Sequence, residues 1–174
     1  MNIKQLIEEI NKLTEDELVD DFEDTDLDKE LNMIDTNVKS LHILTKLYLQ
    51  EMIKKDKGHI LNVASIAGFM PGPLMATYYA TKAYVVRLSE AIREELKKDN
   101  SKVQISILCP GPVRTEFNDV AGVKFAFKGL SSEYVAKYAI DKTLKNKKII
   151  IPGFWIKALK IANKIVPTSI MSEA

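Results

Sequence analysis

The chain has 174 residues, of which 46% are hydrophobic, and a formal net charge of +1. This is enough apolar material for one domain with a substantial core, and the charge gives no basis for binding nucleic acid. One cysteine and two histidines exclude a disulfide framework and a multi-thiolate zinc site. Such sparse cysteine usage predicts a protein of the reducing cytoplasm. No apolar run reaches the length of a membrane span.

The first 21 residues are predicted to form a unit of their own. Residues 2–13 place apolar side chains on one stripe and charged side chains elsewhere, which is typical of an amphipathic helix. An acidic linker follows this stripe. We therefore divide the chain into this N-terminal unit, a main domain over residues 22–153 and an amphipathic tail over residues 154–174.

The acidic linker begins like a calcium-binding loop. The pattern Asp24-x-Asp26-x-Asp28 has the spacing of the first three ligands, but Lys29 stands where the loop needs glycine. The bidentate glutamate that ends such a loop is also missing. We predict no metal site, and expect a solvated loop in which Thr25 or Asp26 caps the next helix.

The next predicted helix runs from about Leu27 to Lys54. Its wide apolar face suggests burial against a sheet and against another subunit, so that a homo-oligomer is expected. The apolar positions are Leu31, Ile34, Val38, Leu41, Leu44, Leu47, Leu49 and Met52.

A buried strand is predicted at residues 59–64, where a short apolar run shows no helical period. It delivers Ser65 at its carboxyl end. Gly68 and a Pro-Gly-Pro run then interrupt regular structure, and a helix restarts near Ala76.

This helix brings Tyr78 and Lys82 onto one face, one turn apart. A tyrosine hydroxyl has a pKa near 10, and a nearby ammonium favours the phenolate, so Lys82 is expected to lower the pKa of Tyr78. The Ser65 hydroxyl can then hold a substrate oxygen while tyrosine gives or takes its proton. A Tyr and a Lys four residues apart also occur by chance on ordinary helices.

The order Asn62-Val-Ala-Ser65-x-Ala-Gly68 followed by Tyr78-x-x-x-Lys82 is much more specific, and it resembles the short-chain dehydrogenase/reductase family. The likeness runs from about residue 22 to about residue 153. It implies an oxidoreductase that interconverts an alcohol and a carbonyl with NAD or NADP. In this resemblance Tyr78 is the acid/base, Lys82 holds the nicotinamide ribose, and Ser65 orients the substrate oxygen.

Two further segments look like parts of this family. Met33-Ile-Asp-Thr-Asn37 is similar to the helix whose asparagine supports a water-linked proton relay, which makes Asn37 a fourth catalytic residue by resemblance. Without the resemblance, Asn37 would be read as a polar residue bonded to its own helix. The turn after residue 109 is similar to the one that holds the nicotinamide carboxamide. The cofactor contacts that this implies are Tyr78, Lys82, Pro110, Gly111, Val113 and Thr115.

The remaining segments complete an α/β fold of truncated Rossmann-like type, with three layers and about three parallel strands near residues 59–64, 103–109 and 147–152. Cys109 is interpreted as a small buried hydrophobe. Residues 118–130 resemble the family's substrate lid, and a capped helix begins at Ser131. The tail could lie on an anionic membrane surface, or pack its apolar side on its own domain.

The family's glycine-rich turn, which takes the cofactor pyrophosphate at a helix N-terminus, is absent from this sequence, whose first glycine is Gly58. The strand near Ile60 would then lie at an open sheet edge. A micromolar cofactor is held by about 8 kcal/mol, and losing half of that leaves roughly millimolar binding. We therefore expect weak cofactor binding and little activity from the chain alone. The alternative is a remnant that acts only as a structural or subunit-pairing module.

Overall fold

The computed structural model describes residues 20–114 and 129–153. Its main sheet has three parallel strands in the order β1 (Gly58–Val63), β2 (Val103–Leu108) and β5 (Ile149–Ile150). Gly58 pairs with Val103 at one end of the sheet. This confirms the predicted α/β fold with parallel strands. Within the described ranges β1 lies at a sheet edge, and its Val63 side chain is exposed.

A second, small sheet joins β3 (Val113–Arg114) to β4 (Leu130–Ser131) in parallel. The Leu130 N–H also donates to the Pro112 carbonyl at 3.0 Å. The sequence did not predict this pair, because two-residue strands carry no periodic pattern. Its effect is to fix the turn that follows β2.

The segment predicted as one helix from Leu27 to Lys54 is helical throughout but not regular. It consists of α1 (Leu27–Ile34), a π-helical turn over Asp35–Ser40, and α2 (Leu41–Lys54). The Asp26 carboxylate caps α1 by accepting the Lys29 N–H at 3.0 Å, as one of the two predicted caps. A π turn breaks the i to i−4 bonding of an α-helix, and such turns are often found at functional sites.

Two further helices flank the sheet. Helix α3 (Ala76–Lys98) begins where the sequence predicted it, and α4 (Ser132–Leu144) is capped by the Ser131 side chain, which accepts the Tyr134 N–H. None of the helices in the described part of the chain combines the length and the apolarity that crossing a membrane requires.

The helices lie in separate layers on the two faces of the sheet, which gives the predicted three-layer arrangement. Helices α2 and α3 cover one face, where the core includes Val85, Val86, Leu96, Ile105, Ile107 and Cys109. Helix α4 covers the other face with Val135 and Ala139, which pack on Leu108 and Ile150. Cys109 is fully buried, in agreement with its interpretation as a core residue. Strand β2 lies between these layers and positions the segment that follows it.

Several predicted features lie outside the described residues. These are the N-terminal helix at 2–13, Thr115, most of the predicted lid at 118–130, and the tail from residue 154 onward.

Candidate active site

The loop that carries Ser65 lies at the carboxyl end of β1, beside the turn that follows β2. Ser65 caps a short 3-10 turn (Ile66–Phe69), and its hydroxyl oxygen accepts the Ala67 N–H at 3.2 Å. The Ile66 N–H donates to the Pro110 carbonyl at 2.9 Å. This bond places the predicted serine and the predicted nicotinamide turn side by side.

The same loop also lies directly against α3, and Gly68 is what permits the contact. A Cβ atom at this position would lie 2.7 Å from the Lys82 backbone oxygen, which is too close for any real Cβ. Only glycine allows the two backbones to approach this closely. The Gly68 of the motif therefore holds Ser65 against the helix that carries the other two motif residues.

Tyr78 and Lys82 lie on the face of α3 that points towards Ser65. Both side chains are half-buried, and the Lys82 Nζ atom lies 5.4 Å from the centre of the Tyr78 ring. The Ser65 side chain lies close enough to the Tyr78 hydroxyl to lower the pKa of that hydroxyl by hydrogen bonding. The three side chains of the predicted catalytic set therefore lie together in the structure.

Asn37 completes the group from the π-helical turn. Its amide nitrogen donates to the Thr81 hydroxyl at 3.3 Å, and the Lys82 Nζ atom lies 3.5 Å from its amide oxygen. The second contact is at the outer limit of a hydrogen bond. The Asn37 side chain thus bonds across to α3.

Burial raises the pKa of Tyr78, while its hydrogen bond to Ser65 acts in the opposite direction and the neighbouring Tyr79 raises it further. The expectation of a lowered pKa for Tyr78 is therefore wrong for this structure, because burial outweighs what lowers it. The reason is that the half-buried phenol loses hydration, which penalises the phenolate. At neutral pH the Tyr78 hydroxyl is protonated and can act as a proton donor.

Burial also lowers the pKa of Lys82, from its usual 10.5 to about 8. The ammonium form is the one that loses hydration when an amine is buried. An amine with this pKa changes its charge close to physiological pH, so Lys82 can exchange a proton where an exposed lysine cannot.

The depressed pKa of Lys82 makes stability depend on pH between about 8 and 10. In this window the unfolded chain binds more protons than the folded chain, so the free energy of unfolding rises with pH by up to about 1.4 kcal/mol per pH unit. We expect Lys82→Met to remove this rise, measured by denaturant unfolding at pH 8, 9 and 10. The exposed Lys46→Met is the control. An identical pH slope in Lys82→Met and the parent would contradict the prediction.

The structure adds polar residues that sequence reasoning missed. The Thr81 hydroxyl accepts from the Asn37 amide and donates to the Tyr78 carbonyl at 2.7 Å, so it links the asparagine to α3. Glu30 is buried beside the start of α3 and bonds to Thr77. Thr81 could have been suspected because it lies directly before Lys82. Nothing in the sequence distinguishes Glu30 from the other acidic residues around it.

Comparison with known proteins agrees with this arrangement. The family model of short chain dehydrogenases matches residues 13–124. A very-long-chain 3-oxoacyl-CoA reductase of Laccaria bicolor is 39% identical over 83 residues, which are 48% of this chain and 25% of the relative. An uncharacterized oxidoreductase of Staphylococcus saprophyticus is 39% identical over 87 residues, which are 50% of this chain and 35% of that protein. The matched parts are thus about a quarter to a third of these relatives.

Solved structures show the same fold. A short-chain dehydrogenase from Sphingobium yanoikuyae in complex with NADPH superposes with a TM-score of 0.73 at 22% identity, over 99% of this chain and 72% of that one. A short chain dehydrogenase/reductase from Burkholderia phymatum in complex with NAD gives 0.71 at 21% identity, over 80% and 59%. With the family model matching well over half of its residues, the chain belongs to the short-chain dehydrogenase family.

Proposed function

We propose that this chain carries the catalytic centre of an oxidoreductase that interconverts a small carbonyl compound and its alcohol with NAD or NADP, in the cytoplasm. The observation that carries the proposal is the convergence of Ser65, Tyr78, Lys82 and Asn37 at the carboxyl ends of β1 and β2. Residues 22–153 are proposed as the catalytic part of the chain.

In the reductive direction, Tyr78 acts as the proton donor. Its raised pKa keeps the hydroxyl protonated, so it can donate to a carbonyl oxygen as that oxygen gains negative charge. The Ser65 hydroxyl hydrogen-bonds to the same oxygen and orients it. The Lys82 ammonium, which lies 5.4 Å from the centre of the ring, stabilises the phenolate that remains. The Asn37 amide oxygen lies 3.5 Å from the same ammonium.

A reduced nicotinamide, when bound, would supply the hydride in this reaction. The residues present fit the nicotinamide end of such a cofactor. Lys82 has three ammonium donors and only a long contact to Asn37 among the hydrogen bonds of the described residues, so it can bond ribose hydroxyls. The turn over residues 110–113 lies next to the Ser65 loop and is fixed by Ile66 and Leu130. We assign Pro110, Gly111 and Val113 to the nicotinamide, with Thr115 as a further contact from the sequence alone.

The test is carbonyl-dependent oxidation of NADH or NADPH at millimolar cofactor, with a panel of ketones and aldehydes. We expect turnover with at least one of them, and its loss in Tyr78→Phe. If the folded parent oxidises neither cofactor with any substrate, the oxidoreductase proposal fails.

A second candidate is a module that pairs subunits without turnover. It is favoured by the exposed apolar side chains of the segment from Leu27 to Lys54, in addition to the open edge of β1. Large exposed apolar patches usually mark an interaction surface. The exposed side chains are Leu27, Leu31, Ile34, Ile43, Leu44, Leu47, Tyr48 and Ile53.

This candidate predicts a homo-oligomer that depends on the exposed α2 side chains. The double variant Leu44→Lys, Leu47→Lys should sediment as a monomer, because both residues are more than half exposed in the single chain and two ammonium groups cannot be buried between subunits. Leu144→Lys, at an exposed position on α4, is the control and should keep the parent's state. A parent chain that sediments as a monomer would contradict the pairing role.

A further inference from the structure

A buried carboxylate lies beside the helix that carries Tyr78. Glu30 of α1 is only 9% exposed, and one of its oxygens accepts hydrogen bonds from the Thr25 and Thr77 hydroxyls, both at 2.8 Å. Glu30, Thr77 and Tyr78 also line one small cavity. Because burying a carboxylate is costly unless it is hydrogen-bonded, these two hydroxyls are what stabilise it among the described residues.

The helix that Glu30 contacts has no cap of its own. Met75 occupies the cap position of α3 and makes no side-chain hydrogen bond to the helix. The first N–H groups of a helix lack partners within the helix, and this end carries a partial positive charge. Glu30 brings a negative charge to that end from a different helix, and its bond partner Thr77 is the second residue of α3.

We propose that Glu30 is a positioning residue for Tyr78: by holding Thr77, it fixes the first turn of α3 so that the Tyr78 hydroxyl stays against Ser65. This inference rests on the proposed function, but the surroundings of the Tyr78 hydroxyl can be measured by its titration without any turnover. Tyr78 follows Thr77 directly, so a first turn that loosens moves the hydroxyl away from Ser65 and into water.

The carboxylate oxygen of Glu30 and the hydroxyl of Thr77 can be removed separately. Glu30→Gln keeps an oxygen that can accept the Thr77 hydroxyl, whereas Glu30→Ala removes it. Thr77→Ser keeps the hydroxyl, whereas Thr77→Val removes it without changing the shape much. Thr25→Val is the matched control, because it removes the other hydroxyl that contacts the same carboxylate oxygen, from a residue that is not on α3 and whose hydroxyl also lies 3.0 Å from the Phe22 carbonyl.

The first measurement is the pKa of Tyr78 by NMR titration of carbon-labelled tyrosine, with Tyr78→Phe identifying its signal among the six tyrosines. In folded Glu30→Ala and Thr77→Val we expect this pKa to fall towards the usual value of about 10, because the phenol becomes hydrated. Glu30→Gln, Thr77→Ser and Thr25→Val should keep the parent's raised pKa. If Glu30→Ala does not fold, the two Thr77 variants decide the question.

Equal Tyr78 titrations in Thr77→Val and Thr77→Ser would overturn the proposal, and so would a shift in Thr25→Val as large as that in Thr77→Val. A role in stability alone would lower the unfolding midpoint of both valine variants and leave the titration of Tyr78 in the folded state unchanged.

The second measurement separates this inference from the proposed function. If the parent turns over, Thr77→Val should lower kcat roughly 10- to 100-fold with KM changed by less than about threefold, and Thr77→Ser should restore kcat. If a variant shifts the Tyr78 titration while no form of the protein turns over, the positioning role stands and the oxidoreductase proposal fails. Unchanged kcat in folded Thr77→Val would overturn the positioning role.

Discussion

Replacing Tyr78 with phenylalanine is expected to lower turnover about 10²- to 10⁴-fold while leaving the chain folded. The substitution removes one hydroxyl and keeps the ring with its edge contact to Tyr79, so the proton donor is lost and the helix is not disturbed. Since the Tyr78 hydroxyl lies near the Ser65 side chain and the Lys82 Nζ atom lies 5.4 Å from the centre of its ring, no other described phenol has the same surroundings.

Tyr79→Phe is the matched control for this experiment, because it removes a hydroxyl from the neighbouring residue of the same helix. Turnover is measured as carbonyl-dependent loss of reduced nicotinamide absorbance, and folding as the near-ultraviolet circular dichroism spectrum. A Tyr78→Phe protein with more than about a tenth of the parent's kcat, or an equal loss in Tyr79→Phe, would remove Tyr78 from the chemical step.

The second large effect concerns how much of the cofactor this chain uses. The sequence has residues for the nicotinamide end and no glycine-rich turn for the pyrophosphate. We therefore expect NADH and NADPH to bind with a Kd in the millimolar range, about a thousandfold weaker than a micromolar cofactor. We also expect reduced nicotinamide mononucleotide, which lacks the adenosine half, to support turnover with kcat/KM within about threefold of that for NADH.

Titration calorimetry and the same absorbance assay check this expectation. Lys82→Met is the matched variant. NADH and reduced nicotinamide mononucleotide both contain the nicotinamide ribose that Lys82 would hold, so the substitution should lower kcat/KM equally for the two. Micromolar binding of NAD or NADP, or a preference of about a hundredfold for the dinucleotide over the mononucleotide, would show that this chain has an adenosine site.

The sheet could be read from the sequence because each of its strands is a short apolar run that ends at turn residues. The first two strands were predicted to within about a residue. The third was predicted at 147–152, but only Ile149 and Ile150 pair with β2, and Pro152 prevents the ladder from continuing at the carboxyl end. The helix that begins at Ala76 was equally clear, because two prolines precede it and its apolar positions keep one period.

The site was predictable in its members and less so in its energetics. Ser65 follows a predicted strand, and Tyr78 and Lys82 are four residues apart on the next helix, so the three side chains could be expected to lie close together. The direction of the Tyr78 pKa could not, because loss of hydration depends on what packs around the phenol, and packing is a property of the folded chain. For the same reason the sequence pattern did not identify Glu30 and Thr81, whose hydrogen bonds join different helices only in the folded chain.

The π-helical turn at Asp35–Ser40 has a geometric consequence for the segment around it. Glu30 and His42 are twelve positions apart, and at about 100° per residue a regular α-helix would leave them about 120° out of phase. Yet both meet α3, since Glu30 bonds to Thr77 and the His42 ring nitrogen lies 2.7 Å from the Tyr84 hydroxyl. A turn that spans one extra residue sets the rotation back by about 100°. The π-helical turn therefore corrects the rotation of the helix, so that α1 and α2 both present side chains to α3. Asn37 lies within this turn.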